Sequence, residues 1–186
     1  MMANRGVFLK KFFVEPMKIG SVTPSSRFLT RRMLQSLDWE NIDCVVELGA
    51  GTGVFTEYIA RHKKPDCKVI VIEQDCLMRR QLEARFPDML FGGQAENLPF
   101  ILQKFGIVQA DCIVSGLPFA VFSEELQERI LQGVRVSLRE DGRFVAFQYS
   151  LQMYLKLRRM FAKVKLGFEL RNFPPAFVYD CRKTEH

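Results

Sequence analysis

The stretch Val45-Val46-Glu47-Leu48-Gly49-Ala50-Gly51-Thr52-Gly53 constrains this chain more than any other. An apolar, β-branched run ends in an acid, and glycines then occupy every second position. The pattern describes a buried parallel strand turning sharply into a helix, with backbone bare enough for a ligand to lie against it. A second apolar run, Val69-Ile70-Val71-Ile72, also ends in an acid, Glu73. An acid at the tip of the second strand is placed to accept hydrogen bonds from both hydroxyls of a ribose. A nucleoside site is the first expectation. No Lys-Ser/Thr pair follows the glycines, which excludes a phosphate-cradling P-loop, and the third glycine arrives one residue too early for the dinucleotide pattern. Glu47 would repel a pyrophosphate and suits a cationic ligand.

A chain of 186 residues, 48% of them hydrophobic, is enough for one α/β core. Strands are expected near 43–48, 68–73, 88–92, 111–115 and 142–149, with helices near 54–62, 77–86 and 123–138 between them. After Ser150, the positions of Leu151, Tyr154, Leu155, Arg158 and Phe161 follow a helical rhythm. Two further strands are expected near 164–170 and 176–182, around the breaker Asn172-Phe173-Pro174-Pro175. Alternation of this kind predicts a mostly parallel seven-stranded sheet with helices on both faces and its last pair reversed. No run approaches the ~18 apolar residues that span a bilayer. Charges at Arg5, Lys10 and Lys11 break what would be the core of an export signal, so a cytoplasmic protein is expected. The five cysteines form no Cys-x-x-Cys pair and read as reduced thiols, with no metal site.

Charge is uneven. Residues 1–40 carry a net +4, residues 41–150 a net −3 and residues 151–186 a net +5. Basic ends flanking an acidic middle point to an anionic partner, either nucleic acid or an anionic membrane surface. On a helix, Phe8, Leu9, Phe12 and Phe13 would share one side with Lys10, Lys11 and Lys18 at its flanks, which suits the headgroup layer of a membrane. The basic stretch from Lys156 to Lys163 offers a second footprint.

The Glu-x-Gly-x-Gly-x-Gly loop with its second-strand acid resembles the S-adenosylmethionine site of class I methyltransferases. Over nearly its whole length the chain resembles the bacterial phospholipid N-methyltransferases, a branch close to the ribosomal RNA adenine dimethyltransferases. Three segments carry this besides the glycine loop: Ile19-Gly20-Ser21-Val22-Thr23-Pro24-Ser25-Ser26-Arg27, Ser115-Gly116-Leu117-Pro118-Phe119 and Phe173-Pro174-Pro175-Ala176-Phe177-Val178-Tyr179. The resemblance implies a Rossmann-like α/β fold in a single domain, residues 1–186, with residues 1–37 as a basic, aromatic helical extension over the cofactor site. It implies S-adenosylmethionine as cofactor, held by Glu47, Gly49, Ala50, Gly51 and Gly53, by Glu73 and Gln74, by Gln94, Ala95 and Ser115, and by Gly20, Ser21 and Ser25. Gln94 stands where the family usually has Asp; its carbonyl would still accept from the adenine amine.

The segment after the fourth strand separates two substrate classes. Adenine dimethyltransferases carry Asn-Leu-Pro-Tyr there, the Asn gripping the target amine and the aromatic ring stacking on the base. Here Gly116 takes the Asn position, leaving room for a bulkier head group, and Phe119 takes the aromatic one, able to stack on a base or shield a cationic amine. The helical domain with which the RNA enzymes hold their substrate is not expected in this chain. The resemblance therefore implies methylation of a phospholipid amine at an anionic membrane surface by a peripherally bound enzyme. RNA or small-molecule N-methylation, and non-catalytic S-adenosylmethionine binding, stay open. Neither His62 nor His186 falls where a base is needed. Tyr149 and Tyr179 are the expected residues for orienting the amine or passing its proton on, and Arg27 is a candidate partner for a lipid phosphate.

Overall fold

The computed structural model describes residues 24–184. Its strands are β1 (Cys44–Leu48), β2 (Lys68–Ile72), β3 (Leu90–Gly92), β4 (Ala110–Ser115), β5 (Leu138–Gln148), β6 (Lys163–Glu169) and β7 (Ala176–Arg182). Its helices are α1 (Pro24–Leu34), α2 (Val54–His62), α3 (Cys76–Arg85), α4 (Leu98–Lys104), α5 (Glu124–Ser137) and α6 (Tyr154–Met160). The strands form one sheet in the order β3-β2-β1-β4-β5-β7-β6. The pairs from β3 through β5 are parallel, while β7 runs antiparallel to both β5 and β6.

Strand β1 is buried along its whole length, as a central strand covered on both faces must be, and so it shows no polar alternation. On one face Val46, Leu48 and Ile113 pack with Leu98 and Leu102 of α4, Ile130 and Val134 of α5, and Leu157 of α6. On the other face Val45, Val71 and Val114 meet Leu29 and Met33 of α1, Ile59 of α2 and Leu82 of α3. Each such side chain withdrawn from water contributes about 2 kcal/mol. Helix α5 shows how local sequence sets an element. Ser123 Oγ accepts from Leu126 N at its start, Glu124 and Glu125 occupy the first turn, and Gln127, Ile130, Leu131 and Val134 form the buried stripe.

The expected fold class stands: a seven-stranded, mostly parallel sheet with helices on both faces and a reversed final pair. Three details differ from the sequence expectation. Helix α4 was not expected: it is only seven residues long, and Pro99 reads as a breaker unless it falls in a first turn, as it does here. Strand β5 starts at Leu138 rather than near 142. Leu138 pairs with Ala110, and the register then shifts before Arg143 meets Cys112, while Arg139 forms ion pairs with Asp111 and Asp141 across the irregularity. The described part of the expected extension packs into the core: α1 lies against α2 and strands β5 to β7 with Leu29, Met33 and Leu34 buried, as is Leu37 just beyond it. The aromatic and basic segment from Arg5 to Lys18, together with Gly20 and Ser21, lies outside the described residues.

From β1 the chain winds outward through β2 and β3, then returns to place β4 on the other side of β1. The connections leaving β1 and β4 therefore part in opposite directions and open a crevice at the carboxyl end of the sheet, where ligands of such folds bind.

Candidate active site

Gly49, Gly51 and Gly53 follow β1 with φ of 74°, 54° and 87°. Side chains avoid this left-handed region, so the alternating glycines are a requirement of the turn. Gly49 N and Ala50 N donate to Ile72 O, which pins the loop to the tip of β2. A Cβ on Gly51 would have no atom within 4 Å, so this part of the loop faces open space. Glu73 ties the two tips together: its Oε2 accepts from Gly51 N at 2.7 Å and its Oε1 from Asp75 N at 2.9 Å. Asp75 in turn caps α3, accepting from Leu77 N and Met78 N.

Glu47 is fully buried on β1 and turned toward α2, where Thr56 Oγ1 donates to its Oε2 at 2.6 Å. Its Oε1 is buried with no hydrogen-bond partner among the described residues. Burial pushes the carboxyl up to about 7, the Thr56 hydrogen bonds oppose this, and the Glu73 charge adds to it. A buried oxygen left without a donor is costly unless something cationic or protic meets it.

That shift has a consequence for stability. Unfolded, the Glu47 carboxyl ionises near the ordinary glutamate value of 4.5; folded, it holds its proton up to about 7. Between those values the folded state binds more protons, so stability falls as pH rises from 4.5 to 7 and is flat above, by roughly 3 kcal/mol for this group. We expect Glu47→Gln to remove this contribution, so that the variant gains on the parent as pH rises. Chemical denaturation of both proteins from pH 5 to 8 measures the difference, and a constant gap would remove Glu47 as its source.

Other sequence-derived cofactor residues lie at or follow the ends of β2, β3 and β4. Gln74 is exposed beyond β2, and Ala50 is buried within the glycine loop. Gln94 is exposed after β3, its Oε1 accepting from Asn97 Nδ2 at 3.0 Å, with the backbone of Ala95 beside it. Ser115 ends β4, fully buried, its Oγ accepting from Leu117 N. Ser25 falls in the first turn of α1. Gly116 N donates to Leu48 O at 2.8 Å, joining the β4 loop to β1. A Cβ on Gly116 would sit 2.8 Å from Gly49 O, so its bareness serves the contact between the two loops.

The proposed acceptor side is built differently from what the sequence implied. Phe119 is buried in the core with its ring edge-on to Phe122, so in this structure it supports the loop from beneath. Tyr179 is fully buried on β7 and its hydroxyl donates to Ser150 O at 3.0 Å, bracing the connection after β5. Burial pushes its phenol up to about 12. Tyr149 is half-buried against Phe147; burial raises its phenol too, opposed by a hydrogen bond with Asn172. Arg27 is exposed on α1.

Two glutamines that sequence reasoning missed hold the β4 loop in place. Gln148 Nε2 donates to Leu117 O at 2.9 Å from the end of β5. Gln127 Nε2 donates to both Phe119 O and Phe122 O from α5, and Lys156 Nζ reaches Gln127 Oε1 from α6. The available signal was a polar residue within an apolar stripe of α5. Among the described residues, no group of three or more His, Cys, Asp or Glu side chains is arranged to hold a metal ion.

No family model matches the chain. It is 42% identical to the ornithine lipid N-methyltransferase of Singulisphaera acidiphila over 181 residues, 95% of this chain and 94% of that one. It is 39% identical over 82 residues, 44% of this chain and 26% of the other, to the "Probable ribosomal RNA small subunit methyltransferase A" of Methanosarcina barkeri. Among solved structures, the N-methyltransferase NodS of Bradyrhizobium japonicum in complex with S-adenosyl-L-homocysteine superposes with a TM-score of 0.73 at 15% identity. That match covers 96% of this chain and 98% of the other.

Proposed function

The chain belongs to the class I S-adenosylmethionine-dependent methyltransferases, in the family of the ornithine lipid N-methyltransferase of Singulisphaera acidiphila, and from that premise we propose that it methylates the amine of a membrane lipid head group. The observation that carries the proposal is the 42% identity over 95% of the chain. The acceptor chemistry is a primary amine on a short flexible arm beside an anionic group. An ornithine head group and phosphoethanolamine both have it.

The residues present fit the cofactor. Glu73 has two carboxylate oxygens with spare lone pairs for ribose hydroxyls, the Gly51 backbone borders open space, and the unpartnered Glu47 Oε1 suits a cationic ligand. Gln94 and Ala95, after β3, would hold the adenine. Bound S-adenosylmethionine supplies an electrophilic methyl carbon on a positively charged sulfur. The protein's part is to align the amine and exclude water. Gln148 and Gln127 fix the Gly116–Phe122 loop as one rigid wall of the acceptor site. Both tyrosines keep their protons at neutral pH, so neither serves as a base. Tyr149 orients the amine, Tyr179 braces the connection that carries Tyr149, and the ammonium gives up its proton to solvent before the amine enters the site.

RNA is the second reading, supported by the partial match to the Methanosarcina barkeri protein. One experiment separates the two. The protein is incubated with methyl-labelled S-adenosylmethionine, ribosomal RNA and vesicles containing either ornithine lipid or phosphatidylethanolamine, and the organic and aqueous phases are counted. Label is expected in the organic phase, and the vesicle type that takes it identifies the head group. Label in the RNA would replace this reading with the second. Silence in both, with the cofactor still bound, would leave a non-catalytic binding protein.

A further inference from the structure

Strands β5 and β6 both run antiparallel to β7, so they run in the same direction as each other. The connection from β6 to β7, residues 170–175, therefore emerges at the same end of the sheet as the glycine loop and the β4 loop. Its polar side chains are tied to the protein, although Arg171 keeps 63% of its side chain exposed. Glu169, itself buried, accepts from Arg171 N, Nε and Nη2 at 2.8 to 3.0 Å, and the Arg171 guanidinium lies 4.3 Å from the centre of the Phe28 ring. Asn172 is buried, with Nδ2 donating to Pro174 O at 2.7 Å. The apolar ones face outward: Leu170 is 72% exposed and Phe173 82%.

A second connection also exposes large apolar side chains. After β5, Leu151 and then Leu155 in the first turn of α6 are 47% and 67% exposed. Scattered exposed leucines need no explanation, but four large apolar side chains on two neighbouring connections, all at the cofactor end, do. Charge identifies what covers them. Arg158 and Arg159 are exposed on α6, and residues 151–186 carry a net +5, which suits an anionic surface.

We propose that the carboxyl end of the sheet docks on an anionic lipid bilayer, with Leu170 and Phe173 of one connection and Leu151 and Leu155 of the other seated in its headgroup layer. The inference rests on the lipid-amine reading and deepens it: the face that meets the bilayer is the one on which the acceptor site opens, so a head group enters without leaving its leaflet.

The test uses the full chain, the double variants Leu170→Ser/Phe173→Ser and Leu151→Ser/Leu155→Ser, and phosphatidylcholine vesicles with and without phosphatidylglycerol. Each variant is expected to lose about tenfold or more in partition to the anionic vesicles, with KM for vesicle-borne acceptor raised in parallel. S-adenosylmethionine affinity and turnover of a short-chain, monomeric acceptor should be unchanged, which also shows that the variants fold. Partition equal to that of the parent protein would overturn the docking surface. So would a parent dimer, seen by sedimentation without lipid, that the substitutions dissociate, because the face would then belong to a second copy. Loss of partition in the variants, with no lipid methylated by the parent, would overturn the acceptor reading while leaving the surface in place.

Discussion

Glu73→Ala is expected to lower S-adenosylmethionine affinity by on the order of a hundredfold or more, because the carboxylate acts in two ways at once. A carboxylate offers about four lone-pair sites. Two are taken by Gly51 N and Asp75 N, and these bonds hold the glycine loop against the tip of β2. The other two are available to the ribose hydroxyls. Truncation removes both, leaving two backbone donors unpaired and the loop unanchored on its open side. Glu73→Gln should fall between the parent and the alanine variant, since an amide keeps one acceptor oxygen but turns a second donor toward a backbone N–H. Calorimetric titration with S-adenosylmethionine measures all three, and thermal denaturation without cofactor separates loop loosening from lost ligand contacts. Unimpaired affinity in the alanine variant would remove Glu73 from the ribose site.

Much of the fold could be read from the sequence, for a physical reason. Strands β1, β2 and β4 are buried on both faces, so each is built on an unalternating apolar run, Val45-Val46, Val69 to Ile72 and Cys112 to Val114. Helix α2 shows the same clarity: it begins after Gly53 and ends with Arg61 and His62 in its last turn, as its sequence pattern implies. What escaped was non-local. Gln148 is 31 residues from the carbonyl it holds, and nothing near it in sequence announces that bond. Thr56 looks like any residue in a first helical turn until the fold sets it against Glu47. Phe119 shows the converse failure. The motif around it suggested a ring facing a substrate, yet a phenylalanine beside a core helix gains more from burial, and its ring packs against Phe122. A motif marks a segment as important; it does not say which way a side chain turns.

Gly116 makes the same point with a larger measurable effect. Its bareness was legible and read as room for a head group, but the structure offers another cause. A Cβ there would meet Gly49 O at 2.8 Å, and a Cβ on Gly49 would meet Leu117 Cδ2 at 2.7 Å. The loops after β1 and β4 thus meet closely, and the atom a Gly116 Cβ would strike is backbone that cannot give way cheaply, since Gly49 N is held to Ile72 O and Leu117 O to Gln148. Overpacking of this kind costs about 1–3 kcal/mol, so Gly116→Ala should weaken S-adenosylmethionine binding by roughly ten- to a hundredfold even with no acceptor present. If the glycine served only to admit a head group, a single methyl would leave cofactor affinity intact and raise KM for the lipid alone. Titration of the variant with S-adenosylmethionine in the absence of lipid distinguishes the two. Weakened binding assigns Gly116 to the contact between the loops, while intact affinity with an altered KM returns it to the acceptor pocket.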